Sequence, residues 1–209
     1  MAVHVVFDGF ANLVVSREFK RWPDPIHKLE YPVFRPQVFL GPRHWGRDHR
    51  KILVVDGEVG FVGGYNIGEE YATQWRDTHV RVTGPAAHEL ENTFVDFWNH
   101  HRREGQPWLS DDRVREWGHQ VRAHRNAPSR LLFPVRGMYL EAIDRASQTV
   151  WITQGYFIPD SEILEELLKA RRRGVDVKVI LPERSNHVVA DWVARYYFEQ
   201  LLEGGVELW

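Results

Sequence analysis

The sequence predicts an α/β protein in which a mixed β-sheet is flanked by helices and the chain is built from two similar halves. Apolar segments of strand length alternate with segments of helical periodicity, a pattern typical of layered α/β folds. Ala2–Phe7 also aligns with Gly174–Val179 at an offset of 172 residues, which indicates an internal repeat. With 209 residues, 43% of them apolar, the chain is long enough for one large domain or two small ones.

The first half begins with strands. Val3–Phe7 is predicted as a buried strand that ends in the turn residues that follow it, and Val33–Leu40 as a second extended segment interrupted by proline. Lys51–Val55 and Val59–Val62 are apolar segments separated by Asp56-Gly57, a dipeptide that favours tight hairpin turns. We therefore expect a β-hairpin here.

A further strand and a long helix complete the first half. Thr78–Thr83 alternates between polar and apolar residues, and Pro85 suits the first turn of a helix. In that helix one face collects the large side chains Leu90, Phe94, Phe97, Trp98 and His101. We place the first half at residues 1–102 and a polar linker at 103–130.

The second half, residues 131–209, repeats the alternation of helix and strand. Ser161 is predicted as a helix N-cap, because a hydroxyl suits this position and acidic residues follow it in the first turn. The predicted helices and strands of this half are Met138–Ala146, Thr149–Gln154, the helix after Ser161, Val175–Leu181 and Val188–Leu202.

Composition excludes several classes of function. The formal charge is −2, so no global basic field attracts nucleic acid, which is not expected as a partner. Cysteine is absent, which excludes thiol catalysis and cysteine-ligated metals. His100-His101 lacks the helical spacing of a metal site, and no metal is predicted. Because no apolar segment reaches about 20 residues, we expect the chain in the cytoplasm or at the membrane periphery.

One group of residues has the types and the spacing expected of a catalytic site. His49-x-Lys51 is followed after four residues by Asp56, and after six more by Gly63-Gly64-x-Asn66. Residues two apart on a strand point to the same face, so the His49 imidazole and the Lys51 ammonium project together. An imidazole can act as a nucleophile while the ammonium beside it binds an anion. The glycine pair allows close backbone approach, and Asn66 adds a neutral donor.

These residues, with the flanking segments Gln74–Asp77, Tyr156–Asp160 and Arg173–Val177, resemble the phospholipase D superfamily, and bacterial cardiolipin synthases in particular. The resemblance implies a phospholipase D-like fold of two repeats and a phospholipid substrate. It also implies a two-step displacement without a cofactor, in which one histidine forms a phosphohistidine and a histidine from a second motif protonates the leaving alcohol.

The resemblance assigns a role to each site residue. His49 is one of the two histidines, Lys51 and Asn66 stabilise the phosphate oxygens, and Asp77 orients the histidine. Asp56 holds the loop and does not touch phosphate. The residues expected to contact substrate are Gly63, Gly64 and Tyr156. Weaker candidates for the cleft are His44, His79 and His187.

The chain departs from two-motif members of this family, because the 209 residues contain one copy of the motif. The second histidine would fall beyond Trp209, and the strand and helix that open each half are missing before Val3. We therefore expect a fragment truncated at both ends, with a monomer that is inactive. The alternatives are a single-motif phosphodiesterase or nuclease completed by homodimerisation, and a non-catalytic remnant.

Overall fold

The computed structural model of the chain is organised in two compact units, Met1–Leu132 and Phe133–Trp209. Sheets and helices build both units, in agreement with the α/β class predicted from the sequence, although each sheet of the described residues is either parallel or antiparallel and none is mixed. The structure describes residues 2–13, 15–16, 18, 20–41, 46–110, 121–128, 131–184 and 187–209.

Two parallel strands open the first unit. β1 (Val3–Asp8) pairs with β2 (Ile26–Tyr31), and Val3 lies opposite Ile26 in the register. The inward positions of β2 are apolar, so Leu29 and Tyr31 are buried. His27, Lys28 and Glu30 are polar, and His27 and Lys28 are exposed to solvent.

Three antiparallel strands form the second sheet of this unit. β3 (Ile52–Val55) and β4 (Val59–Gly63) make the predicted hairpin, and β4 also pairs with β5 (His79–Thr83). The turn residues Asp56 and Gly57 have φ angles of 52° and 67°. Both values are positive, as the tight two-residue hairpin turn requires.

A long helix supports these strands. Helix α2 (Pro85–His101) follows a short helix α1 (Glu69–Thr73) and packs against β2, β3, β4 and β5. Trp98 is fully buried in its last turn, and its indole Nε1 donates a hydrogen bond to the carbonyl of Pro107 at 2.8 Å. The chain after α2 therefore stays attached to the helix.

The second unit contains a parallel three-stranded sheet. Its strands are β6 (Thr149–Thr153), β7 (Asp176–Ile180) and β8 (Glu207–Leu208), in the order β6-β7-β8. Its helices are α3 (Pro134–Arg145), α4 (Ser161–Arg172), α5 (Val188–Tyr196) and α6 (Phe198–Glu203). Helix α4 packs on β7 and on α3, and its buried residues join those of β7 in the core.

Three predicted elements differ in the structure. Pro36–Leu40 forms a 3₁₀ helix, so the segment predicted as extended at Val33–Leu40 is wrong. The true strand, β2, ends at Tyr31 because Pro32 has no N–H to donate to a ladder. The helix predicted at Val188–Leu202 is two helices separated at Tyr197, whose amide bonds to Ala194, three residues back.

The N-cap of α4 is the third correction. The Oδ1 atom of Asp160 accepts hydrogen bonds from the amides of Glu162 and Ile163, each at 3.0 Å, so Asp160 caps the helix and Ser161 is its first residue. Aspartate caps as well as serine does and its charge suits the helix N-terminus. Arg136 also pairs with this carboxylate at 2.7 Å.

In the part of the chain that the structure describes, no helix is long and apolar enough to span a bilayer.

Candidate active site

The strand register collects most of the motif at one end of the β3–β4–β5 sheet. Ile52 lies opposite Val62, and Gly63 lies opposite His79. Lys51, the glycine pair and the residues just before β5 therefore meet at this end. Asp56 lies at the opposite end of β3, roughly 16 Å away at about 3.3 Å per residue. Its place in the hairpin turn fits the predicted role of holding the loop.

Side chains of successive residues point to alternate faces of the sheet, so Lys51 and helix α2 lie on opposite faces. The Arg50 guanidinium stacks 4.1 Å above the ring of Phe97 in α2, and the cavity that Ile52 lines there is also lined by Phe94. Lys51 therefore points to the other face of the sheet. Its Nζ donates to the carbonyl of His49 at 2.8 Å, and His49 itself is exposed to solvent.

Gly63 and Gly64 make room for the chain that leads into β5. A Cβ on Gly64 would lie 2.2 Å from Oδ1 of Asp77, and a Cβ on Gly63 would lie 2.3 Å from the carbonyl oxygen of Thr78. The Gly64 amide also donates to that carbonyl at 3.2 Å. Any side chain at either position would displace Asp77 or the strand after it.

Asn66 and an aromatic cluster continue the site beyond the glycines. The Asn66 side-chain amide donates to the hydroxyl of Tyr71 at 2.6 Å. The ring of Tyr65 lies 5.6 Å from that of His79, edge to face. The buried Nδ1 of His79 has no hydrogen-bond partner among the described residues.

Charge at the site is concentrated near Lys51. Burial lowers the pKa of the Lys51 ammonium below its ordinary value of 10.5, and the carboxylates of Asp48 and Asp77 partly offset this effect. An ammonium with two nearby carboxylates and partial burial stays protonated at neutral pH. It is available to a phosphate that approaches from solvent.

The structure does not bring all of the predicted site residues into contact with one another. The Oδ1 atom of Asp77 accepts from the amide of Thr78 at 2.7 Å, and no hydrogen bond links Asp77 to His49 in the described structure. Tyr156 belongs to the second unit, where its ring packs edge-on against His187 at 5.4 Å. His44 lies outside the described residues. No group of three or more His, Asp or Glu side chains within the described ranges could hold a metal ion.

A buried ion pair that the sequence did not reveal holds the segment before His49. Asp8, at the end of β1, is 6% exposed, and Arg47 donates to it from Nη2 at 2.6 Å. The other Asp8 oxygen accepts from the amide of Asp48 at 3.0 Å. Arg47 also donates to the carbonyls of Pro32 and Val33. The Asp8–Arg47 ion pair and its hydrogen bonds thus connect the ends of both parallel strands to the residue next to His49.

The pKa of Asp8 reflects these contacts. Burial alone opposes its charge, but hydrogen bonds from Arg47 and from the amides of Ala11 and Asp48 outweigh burial, so the pKa lies below 3.8. An aspartate at the end of an apolar strand is the sequence signal for such an ion pair. Its partner, 39 residues away, has no comparable signal.

Asp8→Asn is expected to lower the free energy of unfolding by about 3 kcal/mol, because it leaves Arg47 without its buried counter-ion. The folded-state pKa is depressed, so this stabilisation is present above pH 3.8 and is lost as the pH falls through the folded-state pKa. Urea unfolding of both proteins at neutral pH and at low pH measures the difference. A pH-independent difference would contradict the role of the charge.

Gly64→Ala is expected to slow the first cleavage of a phosphodiester about 10- to 100-fold while the melting temperature changes little, because the new Cβ displaces the mobile end of Asp77. Gly63→Ala should instead destabilise the fold, since its Cβ meets backbone. Gly68→Ala is the matched control, because its Cβ would meet no atom closer than 3.4 Å. Full activity of Gly64→Ala would show that the position of Asp77 does not matter.

Three comparisons place this chain among known proteins. Residues 139–209 match the family described as "Cardiolipin synthase, PLD-like domain". Cardiolipin synthase A of Pseudomonas fluorescens is 39% identical over 168 residues, which cover 78% of this chain and 35% of that protein. Cardiolipin synthase of Geobacillus thermodenitrificans is 35% identical over 188 residues, which cover 85% of this chain and 37% of that protein.

A solved structure is also similar. The phospholipase D family member Nuc from Salmonella typhimurium shares 31% sequence identity with this chain, with a TM-score of 0.27, over 35% of this chain and 45% of that one. The chain spans about a third of the length of the curated relatives it matches (35% of the first). The family match at 139–209 lies in the second unit and does not include His49, Lys51 or Asn66.

Proposed function

We propose that this chain, a member of the phospholipase D superfamily related to bacterial cardiolipin synthases, carries one catalytic motif of an enzyme that transfers a phosphatidyl group between phospholipids. The observation that supports this most strongly is the grouping of Lys51, Gly64 and Asp77 at one end of a sheet, beside an exposed histidine. Such an arrangement offers a nucleophile and a cation to a phosphate from solvent.

The proposed reaction has two displacements at phosphorus. A ring nitrogen of His49 forms a bond to phosphorus while the bond to the glycerol oxygen breaks, and the departing oxygen takes a proton from a second histidine. A hydroxyl of the acceptor lipid then loses its proton to that second histidine and attacks phosphorus. The bond to His49 breaks, and the free enzyme is restored.

Lys51 and Asn66 act on the charge of the phosphate in this proposal. The Lys51 ammonium binds a non-bridging oxygen whose charge grows as the new bond forms, and the Asn66 amide donates to another. In the described structure Asn66 donates to Tyr71 instead, so it must exchange this partner for phosphate. Asp77 orients His49 in this proposal once its carboxylate turns from the amide of Thr78 toward the imidazole.

The test compares two substrates. The purified chain is incubated with phosphatidylglycerol and, separately, with labelled DNA, each with His49→Ala as the control. Cardiolipin formed by the native chain alone supports the proposal. Cleavage of DNA that is lost in His49→Ala would identify a nuclease of the same superfamily. Tight phosphate binding without turnover on either substrate, by the associated form of the chain as well as by the monomer, would identify a non-catalytic protein.

A monomer of this chain is expected to show negligible turnover of phospholipid. The 209 residues contain one His-x-Lys motif, and the general acid that protonates the leaving alcohol is worth about 10²–10⁴-fold in rate. Size-exclusion chromatography with activity measured across the peak checks this. Activity should appear only where two copies associate, so that two His49 side chains share one site. An active monomer would refute the requirement for a second motif.

A further inference from the structure

An apolar and aromatic surface lies immediately beyond the motif. Tyr65, Tyr71 and Trp75 form a ladder of rings, with centroids 6.2 Å and 4.9 Å apart. Ile67 stands at the tip of the same loop and is 103% exposed, so its whole side chain faces solvent. We call Tyr65, Ile67, Tyr71 and Trp75 the Ile67 surface. A fully exposed isoleucine beside exposed aromatic rings indicates a site of contact with an apolar partner.

The Ile67 surface is continuous with the phosphate-binding end of the sheet. Asn66 lies between Tyr65 and Ile67 in the chain, and its amide contacts the Tyr71 hydroxyl at 2.6 Å. A phosphate that replaced this hydroxyl on Asn66 would lie against the ring ladder. The substituents of that phosphate would then extend toward Ile67. A diacyl phosphodiester places an apolar region at this short distance from its phosphate.

The charge of the surface argues against a nucleic acid, so its affinity for lipid must come from its apolar groups and not from charge. Residues 65–75 contain no Lys or Arg, and Glu69 and Glu70 form the first turn of α1. A nucleic acid that stacked bases on the rings would also need cations along its backbone. Tyrosine and tryptophan at the boundary between water and lipid, with an aliphatic side chain inserted beside them, need no such cations.

We propose that the Ile67 surface docks on the acyl-chain region of a phospholipid bilayer, with Ile67 inserted below the headgroups and the three rings at the interface. This rests on the proposed function, because it assigns to the same site the surface that presents the lipid phosphate to Lys51 and Asn66. Binding driven by burial of apolar groups changes little with ionic strength, whereas binding driven by charge weakens.

The absence of cysteine allows a direct experiment, because a single introduced cysteine reports from one position. Ile67→Cys is labelled with an environment-sensitive fluorophore and titrated with phosphatidylglycerol vesicles at about 0.1 M and 0.5 M salt. Leu53→Cys on β3, where the native side chain is 58% exposed, and Trp192→Cys on α5, where it is 81% exposed, are the matched controls. The unlabelled Ile67→Asp variant is compared with the native chain by cosedimentation.

The expected result is a blue shift at position 67 at both salt concentrations and no shift at positions 53 and 192. Ile67→Asp should weaken vesicle binding about tenfold. The proposal is overturned by an unchanged spectrum at 67, by a shift at 53 or 192 instead, or by an equal shift at 67 with single-stranded DNA. Vesicle binding is also measured in a His49→Ala background, where it cannot depend on lipid transfer. Binding without transfer by the native chain leaves the docking surface standing. Transfer without binding at Ile67 removes the docking surface.

Discussion

His49→Asn is expected to abolish covalent chemistry at phosphorus, with a loss of at least about 10⁴-fold in rate, because no ring nitrogen remains to attack. The sharpest substrate is a p-nitrophenyl phosphodiester. Its leaving group is a weakly basic phenolate that departs without a proton, so the first displacement does not need the second histidine. The native chain should therefore release a burst of p-nitrophenolate close to one equivalent even when turnover is negligible.

The control for this experiment is His27→Asn, since His27 is an exposed histidine of the same unit. It should keep the full burst. Trapped native protein should carry an acid-labile label on His49, as a phosphorus–nitrogen bond requires. A burst that persists in His49→Asn would show that another residue is the nucleophile, and the proposed mechanism would be wrong.

Lys51→Ala is expected to slow the first displacement about 10²–10³-fold, the range found when one donor to a developing oxyanion is removed. The ground-state affinity for phosphodiester should fall less, because the charge on oxygen grows toward the transition state. The measurement is the rate constant of the burst against substrate concentration. Lys28→Ala, which removes an exposed ammonium on β2, should leave the rate constant unchanged. A loss below tenfold in Lys51→Ala would mean that Lys51 does not contact the phosphate.

The pH dependence gives a second measure of the same residue. Burial lowers the pKa of Lys51 below 10.5, so the rate of the burst should decline on the alkaline side at a pH below that value. The decline reflects loss of the ammonium proton. In Lys51→Ala this alkaline decline should be absent. Its persistence there would assign it to another group.

The hairpin and the motif were predictable because their signals are local. The tight turn at Asp56-Gly57 and the apolar alternation on either side determine β3 and β4 within twelve residues of chain, 52–63. The strand β2 escaped prediction for the opposite reason. Its partner β1 begins 23 residues earlier in the register, at Val3 opposite Ile26, and the polar residues His27, Lys28 and Glu30 interrupt the strand, so no apolar run marks it.

The sequence by itself therefore determined the α/β class and the hairpin that carries the motif, and it predicts that His49, Lys51 and Asn66 act on phosphate. The hairpin and the motif follow from residues close together in the chain, and the class follows from the alternation of strand and helix patterns along it. Only the tertiary structure decided that Arg47 pairs with Asp8, that Gly64 lies against Asp77, and that Ile67 is left fully exposed. These features depend on how strands distant in the chain are paired and packed. Neither the composition nor the spacing of residues in the sequence determines that pairing.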